Sequence, residues 1–162
     1  MNLNKTILLI GNCGAGKTWV MSQVIKDKKL IIQGKYGLFK FRTNKENNIC
    51  VLGKYDGSIF QGSDKLSMGI AKDFERFKNF SDKKKWLILA EGDRFMNSRF
   101  ISVFNPYIIK INDNGERGRK IRQSKQTDRH LKAISTRVKN IIPSIQLENS
   151  KEALNFIINS LK

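Results

Sequence analysis

An octapeptide near the start of the sequence has the residue types that bind a nucleotide phosphate. Residues 11–18 read Gly-Asn-Cys-Gly-Ala-Gly-Lys-Thr and match the pattern G-x-x-x-x-G-K-[ST] at every position. Glycines let backbone N–H groups turn inward around a phosphate, because no Cβ stands in the way. In such a loop Lys17 contacts the β- and γ-phosphates, and the Thr18 hydroxyl ligates Mg²⁺. The pattern therefore predicts a site for ATP or GTP with Mg²⁺. The residues predicted to contact the nucleotide are Gly11, Asn12, Cys13, Gly14, Ala15, Gly16, Lys17, Thr18 and Trp19.

This glycine loop (residues 11–18) does not by itself identify the reaction. The alternative is a glycine-rich strand-to-helix turn that binds nothing, and Cys13 is most simply a tolerated residue within it. The guanine-reading N-K-x-D motif of GTPases is absent, and an ATPase motor would usually exceed 162 residues. A small kinase of the nucleotide-kinase type fits the length best, so phosphoryl transfer to an acceptor is the expected chemistry.

Two acids and an arginine follow one predicted strand directly. Glu91 and Asp93 come after the apolar run 86–90, at the end of a strand where open α/β sheets place their active sites. Their carboxylates are predicted to hold Mg²⁺ or its water shell, together with Thr18. Arg94, the next residue, is predicted to contact the acceptor.

Two further acids follow another predicted strand. Asp56 comes after the apolar run 49–52, and Asp64 follows a few residues later. Transfer to a hydroxyl requires a group that takes the acceptor's proton, which a carboxylate can do. Each acid could instead cap a helix, and Asp64 precedes a predicted helix.

A basic stretch lies further along the chain. Residues 110–139 hold ten lysines and arginines against three acids, a net charge of 10 − 3 = +7. Glycines 115 and 118 would give residues 112–128 flexible hinges, and we name these residues the lid segment. A basic lid closing over the nucleotide would bring guanidinium groups to the transferring phosphoryl. The alternative is a solvated helix face or a DNA contact surface. The predicted lid arginines are Arg117, Arg119 and Arg122.

Short apolar runs and helical periodicity indicate the elements that must hold these groups. The predicted strands are 6–10, 30–32, 38–41, 49–52, 86–90, 107–111 and 145–147, with a hairpin turn at 44–48. The predicted helices are about 17–26, 64–80, 94–104, 131–141 and 150–161, the last capped by Ser150. Strands alternating with helices predict a single α/β domain over residues 1–162. We expect a three-layer sandwich of the P-loop nucleotide-kinase kind, with a mostly parallel sheet and a basic lid.

The overall charge indicates the class of partner. Lysine and arginine total 31 against 14 acids, a net charge of +17, and a field of this size attracts polyanions. Nucleic acid is the predicted partner, and a generally basic proteome or a ribosome-like partner is the alternative. The apolar runs are too short to span a bilayer, and no basic amphipathic helix carries a broad apolar face, so no membrane partner is expected. Two cysteines form neither a disulfide framework nor a zinc cluster, which favours a reducing cytoplasm.

Three stretches together resemble the phage-type P-loop DNA kinases. They are the glycine loop, the stretch from Gly53-Lys-Tyr-Asp to Gly62-Ser-Asp-Lys-Leu-Ser, and Glu91-Gly-Asp-Arg-Phe after the apolar run. Those enzymes phosphorylate the hydroxyl of 5-hydroxymethyluracil within DNA, a step in DNA hypermodification. The resemblance implies an ATP- or GTP-dependent kinase with Mg²⁺, acting in the host cytoplasm if the chain is phage-encoded. It also places Lys17 and Thr18 on the phosphates, and the four acids around metal and acceptor.

The same stretches also resemble thymidylate and other nucleoside monophosphate kinases. A charge of +17 suits a polymer of phosphates better than a nucleotide, so the DNA interpretation leads. The alternatives are a deoxynucleoside monophosphate kinase and a nucleotide-switched DNA-binding protein. A base in a duplex would have to leave the stack to be phosphorylated, and Tyr36, Tyr55 and Phe60 are candidates to stack on it.

Overall fold

The computed structural model describes residues 5–162, which form an α/β fold around one seven-stranded sheet. The strands are β1 (Thr6–Gly11), β2 (Ile32–Tyr36), β3 (Phe39–Thr43), β4 (Ile49–Leu52), β5 (Leu87–Glu91), β6 (Tyr107–Ile111) and β7 (Ile145–Leu147). The α-helices are α1 (Lys17–Asp27), α2 (Phe74–Lys83), α3 (Ser98–Phe104), α4 (Glu116–Ile121), α5 (Asp128–Asn140) and α6 (Ser150–Ser160). Two 3₁₀ helices, Ser63–Lys65 and Met68–Asp73, lie before α2.

The sheet is mostly parallel, as predicted. The strand order is β2-β3-β4-β5-β1-β6-β7. β4, β5, β1, β6 and β7 run parallel to one another, and β2 and β3 add an antiparallel extension at one edge. The hairpin turn predicted at 44–48 joins β3 to β4, and the Asn44 side chain accepts a hydrogen bond from the Asn47 N–H at 2.7 Å.

Two apolar cores lie on opposite faces of the sheet. Alternate β1 residues belong to different cores, as the two-residue period of a strand requires. Ile7 and Leu9 pack with α1 and α6, whereas Leu8 and Ile10 pack with α2, α3 and α5. The core that contains Leu8 and Ile10 is rich in buried phenylalanines. The arrangement is compatible with a three-layer α/β sandwich.

The helical connections change from one face of the sheet to the other at the carboxyl ends of two central strands, and we name this place the crevice. β1 leads into α1 on one face, whereas β5 leads towards α3 on the other. Adjacent strands that send their helices to opposite faces leave an open space between the two loops, and ligands of α/β sheets bind there. The glycine loop and Glu91 therefore meet at the site that the topology favours.

Local hydrogen bonds shift several predicted boundaries. The helix predicted at 64–80 is two 3₁₀ turns followed by α2, because the Ser67 hydroxyl accepts the Gly69 N–H and starts a new turn. The helix predicted from residue 94 starts at Ser98, where the Asn97 side chain caps the N–H of Phe100. The second predicted strand lies at Ile32–Tyr36 rather than 30–32.

Two further differences concern the second half of the chain. Ser150 is not the N-cap of α6, since the Asn149 side chain accepts the N–H groups of Lys151 and Glu152. The lid segment contains a helix that the sequence did not predict, α4, which starts after Gly115.

Candidate functional site

The glycine loop turns the chain from β1 into α1 in a conformation that glycine permits. Gly14 and Gly16 have φ of +86° and +88°, a region that other residues rarely adopt. Gly16 directly precedes the first residue of α1, Lys17, so the free N–H groups of this helix start at the loop. Ala15 is buried in the core and its N–H donates to the Asn12 carbonyl at 3.1 Å. The start of α1, with its free N–H groups, therefore lies at the glycine loop, which is where an anion binds to a helix.

The Lys17 ammonium is folded back over this loop. Its Nζ donates to the carbonyl oxygens of Gly11 and Asn12, both at 2.9 Å. The side chain is half-buried. A cation held on two carbonyl oxygens can exchange them for phosphate oxygens, which bind an ammonium more strongly because they carry charge.

The Thr18 hydroxyl and the Glu91 carboxylate join the two loops of the crevice. Thr18 Oγ1 donates to Glu91 Oε1 at 3.2 Å. The same oxygen accepts the backbone N–H of Ser63 at 3.2 Å and the hydroxyl of Tyr55 at 3.5 Å. Glu91 is only 3% exposed. The carboxylate that was predicted from its position after the apolar run is therefore buried inside the crevice.

Burial and neighbouring charges act on Glu91 in opposite directions. Desolvation raises its pKa above the ordinary value of 4.5, and the negative charge of Asp64 raises it further. The positive charge of Lys17 and the bonds from Ser63 and Thr18 oppose these effects. The net direction is upward, so a cation placed beside Glu91 would stabilise the ionised form.

These groups fit a magnesium ion held partly by a nucleotide. Mg²⁺ in such sites uses one or two protein oxygens, and phosphate oxygens and water supply the others. Thr18 and Glu91 offer a hydroxyl and a carboxylate, whereas no three His, Cys, Asp or Glu side chains cluster within residues 5–162 to form an all-protein site. The Ser63 hydroxyl is buried and finds no hydrogen-bond partner in this part of the chain, which fits a crevice completed by a ligand.

The backbone of residues 62–63 covers the Thr18–Glu91 pair closely. A Cβ at Gly62 would lie 2.6 Å from Glu91 Oε1 and 3.0 Å from Thr18 Cγ2. Tyr55 is 5% exposed, and burial and the Glu91 charge raise its pKa well above the ordinary value. Its burial rules out the predicted stacking role, and the hydroxyl instead holds Glu91. The contacts of Tyr55, Gly62 and Ser63 with Glu91 and Thr18 were not predicted from the sequence.

The structure separates the two acids that follow β4. Asp56 is exposed, and hydrogen bonds from Ser58 and the ion pair with Lys54 at 3.2 Å hold its pKa well below the ordinary value. No contact within the described chain joins Asp56 to Glu91. Asp64 is also exposed, but its charge reaches both Glu91 and Cys13. Asp64 therefore lies beside the crevice, and Asp56 lies apart from it.

Asp93 and Arg94, which follow Glu91, contact groups other than the Thr18 hydroxyl. Asp93 forms an ion pair with Arg137 of α5. Arg94 is half-buried, and its Nε donates to the Leu66 carbonyl at 3.2 Å. Asp93 thus links β5 to α5, and no described contact brings it to the predicted metal position.

The lid segment lies directly on the glycine loop. A Cβ at Gly14 would collide with the Gly115 carbonyl, and one at Gly118 would collide with the Gly14 carbonyl. Arg119 Nη1 donates to the carbonyls of Cys13 at 2.7 Å and Asn114 at 2.8 Å. The backbones of the glycine loop and the lid segment are therefore in contact, although about a hundred residues separate them in the sequence.

The other two lid arginines differ in position. Arg122 is half-buried, and its charge reaches Cys13, whereas Arg117 is exposed. Burial raises the pKa of the Cys13 thiol, although Lys17 opposes this, so Cys13 is not an activated nucleophile. In the glycine loop, Asn12 donates to the Asp113 carbonyl at 3.4 Å, and Trp19, the residue after the loop, is 43% exposed.

One face of α5 carries unpaired positive charge. Three exposed cations, spaced so that they share a face of the helix, form what we name the α5 stripe: Arg129, Lys132 and Lys139. None of the six ion pairs found among residues 5–162 involves them. The stripe is a row of cations suited to a chain of phosphates.

Comparisons of the chain with family models, curated proteins and solved structures give no match. The function must therefore be inferred from the geometry around Thr18 and Glu91. Within residues 5–162, no helix is both long enough and apolar enough to cross a membrane.

Proposed function

We propose that the protein is a Mg²⁺-dependent P-loop kinase that acts on DNA. It transfers the γ-phosphoryl of ATP or GTP to the hydroxyl of a hydroxymethylated pyrimidine, 5-hydroxymethyluracil. The observation that carries the proposal is the 3.2 Å contact between Thr18 and Glu91, beside Lys17, at the carboxyl ends of β1 and β5. A hydroxyl, a buried carboxylate and an ammonium at one crevice are the groups that a Mg²⁺-bound triphosphate requires.

In this proposal, the glycine loop holds the triphosphate. Backbone N–H groups at the start of α1 bind the phosphate oxygens, and Lys17 leaves the two carbonyls to contact the β- and γ-phosphates. Thr18 and Glu91 would hold the ion, which when bound neutralises charge on the phosphates. Lys17 stabilises the negative charge of the transition state.

The acceptor side is assigned to Asp64. The attacking hydroxyl oxygen forms a bond to the γ-phosphorus, the bond to the bridging oxygen of the leaving diphosphate breaks, and Asp64 takes the hydroxyl proton. Asp64 is exposed and adjacent to the crevice, so an acceptor can reach it. Asp56 is a poorer base, because its pKa is held far below the ordinary value and it lies apart from Glu91.

DNA is favoured as the acceptor because of the charge. The net charge of +17 and the unpaired α5 stripe provide more cations than a mononucleotide can use. The lid segment, already in contact with the glycine loop, brings Arg119 and Arg122 to the same side of the crevice.

The test is to follow γ-labelled ATP with Mg²⁺. The acceptors are DNA containing 5-hydroxymethyluracil, the same unmodified DNA, and deoxynucleoside monophosphates. Label in the modified DNA alone is expected. Label in the mononucleotides would show that the protein is a nucleoside monophosphate kinase instead. Release of free phosphate alone would indicate a nucleotide-switched DNA-binding protein. Lys26→Ala, an exposed lysine of α1 outside the loop, is the matched control for Lys17→Ala.

A further inference from the structure

A compact loop projects from the site and is closed by its own hydrogen bonds. We name residues 55–61 the tip loop. Lys54 and Gly62 exchange backbone hydrogen bonds at 3.0 and 2.7 Å, which joins its two ends. Within it, the Gly57 N–H donates to Gln61 Oε1 at 2.9 Å, and the Ser58 N–H donates to Asp56 Oδ1 at 3.1 Å. Internal bonds of this kind give the loop a defined shape.

The base of the tip loop rests on the proposed catalytic groups. Its first residue, Tyr55, places its hydroxyl on Glu91, and its last residue, Gln61, donates from Nε2 to Ser22 Oγ at 3.0 Å. Gly62 follows at once and lies against Thr18. Whatever the tip contacts is therefore held at a fixed distance from the Thr18–Glu91 pair.

The tip itself presents two consecutive apolar side chains to solvent. Ile59 is 68% exposed and Phe60 is 52% exposed. Neither belongs to either apolar core. The tip loop thus carries two adjacent large apolar groups, exposed beside a proposed active site, that an apolar partner could cover.

We propose that Ile59 and Phe60 form a wedge that enters the base stack of DNA beside the target base and holds the extruded base at the crevice. This inference rests on the proposed function. A nucleobase offers an apolar face on a polyanion, which suits an apolar tip on a protein with a charge of +17. Exposed Lys65, just beyond the tip loop, can contact the flanking phosphates. Apolar side chains inserted at a base step unstack it, and a base must leave the stack to reach an active site.

The experiment measures base unstacking separately from phosphoryl transfer. A duplex carries one 5-hydroxymethyluracil with 2-aminopurine as its neighbour, and its fluorescence is recorded as protein is added. The wild type is expected to raise the fluorescence, and the double variant I59A/F60A to lose most of this rise. Duplex affinity is expected to fall about tenfold in the variant, as for the loss of one base–aromatic contact. Phe60→Trp should retain the rise, and Met68→Ala, an apolar residue 79% exposed outside the loop, should leave it unchanged.

The same variants are then assayed with labelled ATP on the duplex and on its single strand. The wedge predicts that I59A/F60A loses about tenfold more kcat/KM on the duplex than on the single strand, because only the duplex must be opened. Equal losses on the two substrates, or an unchanged fluorescence rise, overturn the wedge even if transfer occurs. A fluorescence rise that depends on the tip, in a protein that phosphorylates no acceptor, supports the wedge and rejects the kinase. If I59A/F60A instead converts a dimer to a monomer by light scattering, with the rise intact, the pair is an interface between copies and the wedge is wrong.

Discussion

Replacing Glu91 with glutamine should lower activity and raise stability at the same time. Glutamine keeps an oxygen that can accept the bonds from Thr18, Ser63 and Tyr55, so the shape of the crevice is preserved. What it removes is the buried negative charge. In the proposed kinase, Glu91 would hold the ion, and the loss of this charge is expected to reduce kcat by roughly 10²–10³, about 2.7–4 kcal/mol.

The effect on stability has the opposite sign because of the raised pKa of Glu91. The folded state binds the Glu91 proton more tightly than the unfolded state, so this group favours folding at low pH. That contribution is lost as the pH rises from about 4.5 through the folded-state pKa, and each unit between the two values corresponds to about 1.4 kcal/mol. Glu91→Gln should therefore be more stable than the wild type at pH 7 without Mg²⁺, with the two converging at acid pH.

The assay combines urea unfolding at several pH values with initial rates over a magnesium titration. Glu75→Gln is the matched control, because Glu75 is exposed and paired with Arg99 outside the crevice. The expected pattern is a stabilised, inactive Glu91→Gln protein with a weakened magnesium response. A variant that is destabilised equally at all pH values, or that keeps its turnover and magnesium dependence, would show that Glu91 only holds the backbone.

Three other predictions concern the glycine loop and the basic surfaces. Lys17→Ala should abolish transfer, a loss of about 3–4 kcal/mol or more, without changing the urea midpoint, and unchanged turnover would remove the loop from the mechanism. Neutralising the three lid arginines together should lower turnover more than DNA affinity; a parallel loss of affinity with normal turnover at saturation would make the segment a DNA contact. The logarithm of DNA affinity should fall against the logarithm of salt concentration with a slope of about −4 to −5, and removing the α5 stripe should reduce this slope by about 2.7. DNA with and without 5-hydroxymethyluracil should bind with similar affinity. An affinity that does not change with salt concentration would contradict an electrostatic contact.

The parts of the fold that local signals determine were predictable from the sequence. The glycine loop is a contiguous motif. The apolar runs that form β1 and β5 are short enough to be strands buried on both faces. Glu91 was predictable because it follows such a run directly. The α6 cap was also available, since Asn149 stands three residues before Glu152, whose carboxylate accepts the Asn149 Nδ2–H bond at 3.2 Å.

Contacts between distant segments could not be predicted in this way. The sequence offers Tyr55 as a candidate to stack on a base, and its burial follows only from the pairing of β4 with β5, which brings it to Glu91. Asp93 and Glu91 are neighbours in sequence, yet Arg137, 44 residues away, draws Asp93 to α5. The helix predicted at 64–80 has the right apolar spacing, but the Ser67 side-chain bond to Gly69 interrupts it.

The backbone contact among Gly14, Gly115 and Gly118 limits how the sequence can change. Gly14 occupies a position that the phosphate-binding pattern leaves open, so glycine is required there by its φ of +86° and by the lid segment rather than by a phosphate. When two side chains clash, a smaller residue at one position can relieve the other. Here each added methyl group would meet a main-chain carbonyl, which no substitution at the partner position removes. Second-site suppressors of Gly14→Ala or Gly118→Ala therefore cannot arise within this trio and must move one of the two segments instead.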